Sequence, residues 1–198
     1  MLSWSPLVAL KILKQRASYL KTMQDIPSTM SDNTSSGFRL VVGPHSFVAR
    51  HMHHLTVDYA LKGPLRLLIC GNYLDLSGLS YDLARQTQRY YDILENDIML
   101  SRAETCYQVA GVLQRLEASS MPTLITDLLT GFYDEGVHDH EVDDLLFETI
   151  QALRRLSRAG AVVVSSSPDA KRSRLFNALM QAAGMVERPQ AAAITHTQ

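Results

Sequence analysis

The chain has 198 residues, enough for one domain with a real core and an additional segment. Its apolar content is ordinary for a globular protein, and its formal net charge of −1 excludes the global basic field that advertises a nucleic-acid partner. No apolar run reaches the roughly 18 residues of a membrane-spanning helix. Only Cys70 and Cys106 are present, both in apolar segments, and they read as reduced core thiols of a cytoplasmic protein rather than a disulfide framework.

Leu7, Leu10, Leu13, Ala17 and Leu20 recur at near-helical spacing, with Lys11, Lys14, Arg16 and Lys21 between them. That is a basic amphipathic helix, suited to a membrane surface or a partner. It lacks the uninterrupted apolar stretch and cleavage site of a secretory signal. Met30 to Gly37 reads as a flexible protein start, which leaves open that residues 1–29 are an upstream extension. Residues 1–36 are therefore expected to be an N-terminal basic helix and linker, residues 37–186 the core domain, and residues 187–198 a disordered tail.

From Phe38 onward, apolar runs alternate with helical patterns. Phe38 to Val42 predicts a first strand, stopped by Gly43-Pro44. Val48, Met52, Leu55 and Tyr59 mark a helix that ends near Gly63-Pro64. Leu65 to Cys70 predicts a second strand, Gly71 to Gly78 a loop, and the following pattern a helix through about Tyr91. Ile98 to Leu100 is a short third strand, Cys106, Val109, Leu113 and Leu116 a helix, and Thr123 to Asp127 a fourth strand. Val142, Leu145, Leu146, Ile150, Leu153 and Leu156 form the strongest helical stripe. Acids lie in its first turn and Arg154, Arg155 and Arg158 in its last, which complements the helix dipole, and Gly160 reads as its stop. Ala161 to Val164 is a fifth strand, and Leu175, Leu179 and Ala182 mark a last helix. Apolar strands, each followed by a helix, predict an α/β fold with a mostly parallel sheet covered on both faces. Ligands in such sheets bind beyond the carboxyl ends of the strands. Those ends are His45-Ser46, Gly71-Asn72, Arg102, Asp127 and Ser165-Ser166.

A phosphate-binding loop would fall between the first strand and the first helix. It needs a second glycine, a lysine for the β and γ phosphates, and a hydroxyl for magnesium. Counted from Gly43, those positions hold Val48, Ala49 and Arg50, and the next lysine is Lys62. Asp127, closing the fourth strand, matches the acid that orients magnesium in P-loop ATPases, although a buried strand ending in Asp is common.

Taken in order, these segments resemble the core of the RecA/RadA recombinase superfamily over about residues 37–185. The echoes are Val41-Val42-Gly43-Pro44 before the first core helix, Ile98 to Ala103 with the helix Gln108 to Leu116, and Leu124 to Thr130 with Phe132 beyond. The long Leu/Arg helix leading into Ala161 to Val164 is also similar. The resemblance implies a RecA-like three-layer sandwich with a mostly parallel central sheet, and a vestigial nucleotide site at Gly43, Pro44, His45, Ser46 and Asp127. The family's catalytic glutamate has no counterpart, because no acid follows the second strand until Asp75. Its polar sensor is replaced by Ser165-Ser166-Ser167. The resemblance therefore implies a non-catalytic member without a cofactor.

Lys171, Arg172 and Arg174 follow the fifth strand, where related recombinases carry a DNA-contacting loop, and Arg154, Arg155 and Arg158 would extend such a patch. The alternative is a solvated helix start, since the segment has no aromatic for base stacking. His138, Asp139, His140 and Glu141 have metal-ligand chemistry but nothing in the chain identifies completing ligands, so no metal is expected. His51, His53 and His54 read as surface histidines, Asp82, Arg85 and Arg89 as solvated helix charges. Ser165 to Ser167 lack a nucleophile elbow. The expected function is binding, as a subunit or regulator in DNA recombination or repair, with a protein partner or further copies of the chain. One alternative is an ATP- and magnesium-dependent ATPase with an atypical loop. Another is a scaffold or signalling subunit without DNA contact. Fold alone does not separate them.

Overall fold

The computed structural model describes residues 37–71 and 75–188. The expectations for the N-terminal helix and linker, and for the tail beyond Arg188, fall outside these residues. The elements run β1 (Arg39–Val42), α1 (His45–Lys62), β2 (Leu65–Ile69), α2 (Leu76–Gln86), α3 (Tyr90–Asp92) and a π-helical turn (Ile93–Asp97). They continue with β3 (Ile98–Arg102), α4 (Cys106–Arg115), β4 (Thr123–Thr126), a 3-10 turn (Thr130–Phe132), α5 (Asp139–Ser157), β5 (Val162–Ser166), α6 (Ser173–Ala182) and β6 (Met185–Glu187).

All six strands are parallel, in the order β3-β2-β4-β5-β1-β6. The alternation of side chains along each strand builds two separate cores. Leu40, Val42, Leu68, Ile125, Val162 and Val164 face α4, α5 and α6. Val41, Leu65, Leu67, Ile69, Leu124 and Val163 face α1, α2 and the π-helical turn. The fold is thus a three-layer α/β sandwich, and the unbroken apolar strands are apolar because both faces are covered. Each fully buried aliphatic side chain contributes about 1.5–3 kcal/mol. Both cysteines are buried and unbonded.

Local chemistry sets the helix ends. Thr105 and Gln108 form a capping box on α4, the Gln108 N–H donating to Thr105 Oγ1 and the Thr105 N–H to Gln108 Oε1, each at 3.3 Å. Asp75 caps α2 by accepting the Gly78 N–H at 2.8 Å. The stripe on α5 is buried as its spacing predicts, with Leu145 at its margin. Gly160 follows α5, but a helix-ending conformation is not what selects it. A Cβ there would lie 2.5 Å from the Ser119 carbonyl oxygen, so two backbone segments meet where only glycine fits.

Three features depart from the sequence reading. The helix expected through Tyr91 ends at Gln86, and the chain turns before α3. The third strand, ending at Arg102 as expected, is not covered on both faces: Met99 and Leu100 are exposed on the outer edge of the sheet. A sixth strand, β6, lies beside β1, and the expected domain end at residue 186 falls inside it. Glu187 fastens it, pairing with Arg39 at 3.3 Å and with His51 at 2.9 Å, while the Gly184 N–H donates to the Phe38 carbonyl at 3.0 Å. Among the described residues no helix is long and apolar enough to cross a membrane.

Candidate functional site

The strands being parallel, their carboxyl ends share one edge of the sheet, and β5 separates β1 from β4. Only Gly43 and Pro44 connect β1 to α1. The N–H groups of Phe47 and Val48 both donate to the Pro44 carbonyl, at 2.9 and 3.1 Å, so the helix is under way at once. Val48, Ala49 and Arg50, which occupy the glycine, lysine and hydroxyl positions of a phosphate loop, all lie within α1. Val48 is 1% exposed and packs against the sheet. A two-residue turn has no row of amides to wrap a phosphate chain. His45 and Ser46 are exposed in the first turn of α1.

Asp127 lies beyond the end of β4, with its backbone in the left-handed region at φ 51°. Asp tolerates that conformation better than most residues, at some cost in strain. Two bonds impose it: the Asp127 N–H donates to Ser165 Oγ at 2.9 Å, and the Leu128 N–H to the Ser165 carbonyl at 2.9 Å. The carboxyl is largely buried against Gly71, where a Cβ would come within 3.0 Å of Asp127 Cβ. Burial holds its pKa above the usual carboxylate range, opposed by His45, whose Nε2 lies 3.9 Å from Oδ2. Burial likewise raises the neighbouring Cys70 thiol, and Asp127 adds to that. Thr126, one residue earlier, is buried, and its Oγ1 has no hydrogen-bond partner among protein atoms.

Three open cavities meet at His45. The first, about 530 Å³, lies between α1, α2 and the ends of β4 and β5. Thr126, Asp127 and Ser165 line its floor, and Arg50, Asp75 and Asp82 its walls. The second, about 320 Å³, lies on the far side of Asp127 beside Tyr133, Ser166 and Asp169. There the Tyr133 hydroxyl donates to the Ser167 carbonyl at 3.0 Å, and burial pushes the phenol up to about 12. The third, about 680 Å³, follows Gly43 and Pro44 toward Phe176 and Met180.

The basic cluster has a different surrounding from the one its sequence implies. Lys171 pairs with Glu135. Arg172 is 7% exposed and donates to the carbonyls of Phe132 and Val137, both at 2.8 Å, while pairing with Asp139 at 3.3 Å. Arg174 pairs with Asp139 at 3.1 Å and Asp143 at 3.2 Å. Three cations thus face three carboxylates, and Arg172 is inside the fold, tying the segment after β4 to the start of α6. Arg154 and Arg155 belong to the opposite edge of the sheet, one length of β5 away, roughly 16 Å at strand rise. Arg155 donates to the carbonyls of Leu113 and Gln114 at 3.0 and 3.2 Å, at the end of α4.

The histidines are placed more specifically than their surface positions suggest. His53 Nε2 lies 2.8 Å from Asp82 Oδ2, joining α1 to α2, and His51 holds Glu187. His138 and His140 stack on each other at 5.9 Å. Among the described residues no group of three or more His, Cys, Asp or Glu side chains is arranged to hold a metal ion. Sequence reasoning passed over Thr126, and it took His53 and Asp82 for separate surface groups. A hydroxyl inside an apolar strand was a usable signal for Thr126, whereas 29 residues separate His53 from Asp82 with no local pattern to link them. No protein-family model matches this chain, and no curated protein matches it.

Proposed function

We propose that this chain is a non-catalytic RecA-like protein that acts by binding, as a subunit or regulator of a recombination or repair assembly. The observation that carries the non-catalytic part is the β1–α1 connection: two residues long, followed by a helix that contains Val48, Ala49 and Arg50 where a phosphate loop would need a second glycine, a lysine and a hydroxyl. The order of elements and Asp127 at the end of β4 support the RecA-like part, which rests on resemblance. Two buried free thiols support a reducing compartment such as the cytoplasm.

The binding surface in this reading is apolar rather than basic. Lys171, Arg172 and Arg174 are neutralised by Glu135, Asp139 and Asp143, so they have little charge to offer phosphates. Met99 and Leu100 are exposed on β3, the outer strand of the sheet, and an apolar sheet edge favours a protein partner. The test is a phosphate-release assay run together with fluorescence anisotropy on single- and double-stranded oligonucleotides at two salt concentrations. The reading expects no turnover and no salt-sensitive DNA binding by the isolated chain. Turnover lost in Asp127→Ala contradicts the non-catalytic part. DNA binding abolished by changing the exposed Lys171 and Arg174 together to alanine contradicts the choice of surface.

A further inference from the structure

We propose that the cavity between α1, α2 and the end of β4 binds an organic cation, a guanidinium or alkylammonium group, against Thr126 and Asp127. This does not depend on the recombination reading, nor on the partner surface chosen above.

The charge of the cavity is the first reason. Among its described lining residues, Asp75, Asp82 and Asp127 carry carboxylates, and Arg50 is the one permanent cation. Asp82 is engaged by His53 at 2.8 Å and Asp75 by the Gly78 N–H at 2.8 Å. Asp127 is the deepest of the three, and the His45 ring beside it lies 3.9 Å away, beyond hydrogen-bond distance. A polyphosphate would meet buried negative charge here, whereas a cation would relieve it.

The second reason is independent of charge. Thr126 is 6% exposed, and its Oγ1 is buried without a hydrogen-bond partner on the cavity floor. Its position on β4 is set by register: Leu124 faces α1 and α2, Ile125 faces the other layer, and Thr126 returns to the α1 side. A buried hydroxyl left unpaired is costly, and native folds rarely leave one without a purpose. Next to it Asp127, in its left-handed turn, also lines this cavity. Two adjacent acceptors at the base of a cleft suit a group with several N–H donors, and guanidinium presents such donors in a fixed fork. The volume, about 530 Å³, is within the usual range of small-ligand sites. The cation has two sources, a free amine or a basic side chain reaching in from a partner.

The experiment titrates the full-length protein with agmatine, with the tripeptide acetyl-Gly-Arg-Gly-amide, and with neutral butylurea, following backbone amide shifts by NMR. Saturable shifts at Gly78, Thr126 and Asp127 are expected with the two cations and not with butylurea. Asp127→Asn keeps a residue that accepts the left-handed backbone, and Thr126→Val keeps the shape of its side chain. Each is expected to weaken cation binding about tenfold or more, the cost of losing a hydrogen bond to a charged group. If Asp127→Asn fails to fold, Thr126→Val decides the matter alone. Tighter binding of the tripeptide assigns the site to a partner's side chain, and tighter binding of agmatine to a free amine. No saturable shift with either cation overturns the proposal, as does binding that both variants leave unchanged, or tighter binding of inorganic phosphate in the same cavity.

Discussion

Arg172 and Lys171 are neighbours in sequence, yet burial gives them opposite consequences. Arg172→Ala leaves the buried Phe132 carbonyl without its donor, at about 1–3 kcal/mol, and the half-buried Val137 carbonyl as well, and thermal unfolding of that variant is expected to drop by several degrees. Lys171→Ala removes an exposed ion pair with Glu135 and is expected to change stability by less than about 0.5 kcal/mol. A similar loss in both variants would contradict this. Asp127 gives a pH signature. Its pKa in the fold lies above the ordinary value of 3.8, so the native state holds the proton more tightly than the unfolded chain does. Its contribution is favourable below the ordinary value and is lost as pH rises through the raised one. Asp127→Asn is therefore expected to raise the melting temperature near pH 7, with the difference shrinking toward pH 4. Melts across that range check it, and an advantage that grows on acidification would have the wrong sign.

At the scale of elements, the strands were readable because each is a short apolar run bounded by turn residues, and α5 because its stripe and end charges agree. What the sequence did not disclose has physical causes. β6 is three residues of weak pattern, held by a polar clasp from Arg39 and His51 and by the contact of Gly184 with Gly37. The end of α2 at Gln86 has no glycine or proline to announce it. The candidate site was half legible. Asp127 could be placed at the end of β4 from the sequence, but the neutralisation of Lys171, Arg172 and Arg174 comes from acids some 31 to 36 residues earlier in the chain. Gly160 was recognised for its place after a helix, and its structural reason is the Ser119 carbonyl. Gly160→Ala is accordingly expected to destabilise the protein by about 1–3 kcal/mol, as overpacking does. Denaturant titration measures this, and an unchanged or raised midpoint would show that the loop before β4 yields freely.

For the whole molecule, the reading proposed above is that this parallel α/β sandwich carries an acid at the end of β4 but holds no nucleotide. Three features support it together. The turn after β1 is too short, the helix begins where the phosphates would lie, and the cavity beside Asp127 is lined by carboxylates. A net charge of −1 adds no long-range attraction for a polyanion. The most direct measurement is calorimetric titration of the full chain with ATP and magnesium near neutral pH. The account predicts no saturable binding at micromolar ATP, in the wild type and in Asp127→Ala alike. Micromolar binding by the wild type that disappears in Asp127→Ala would contradict it.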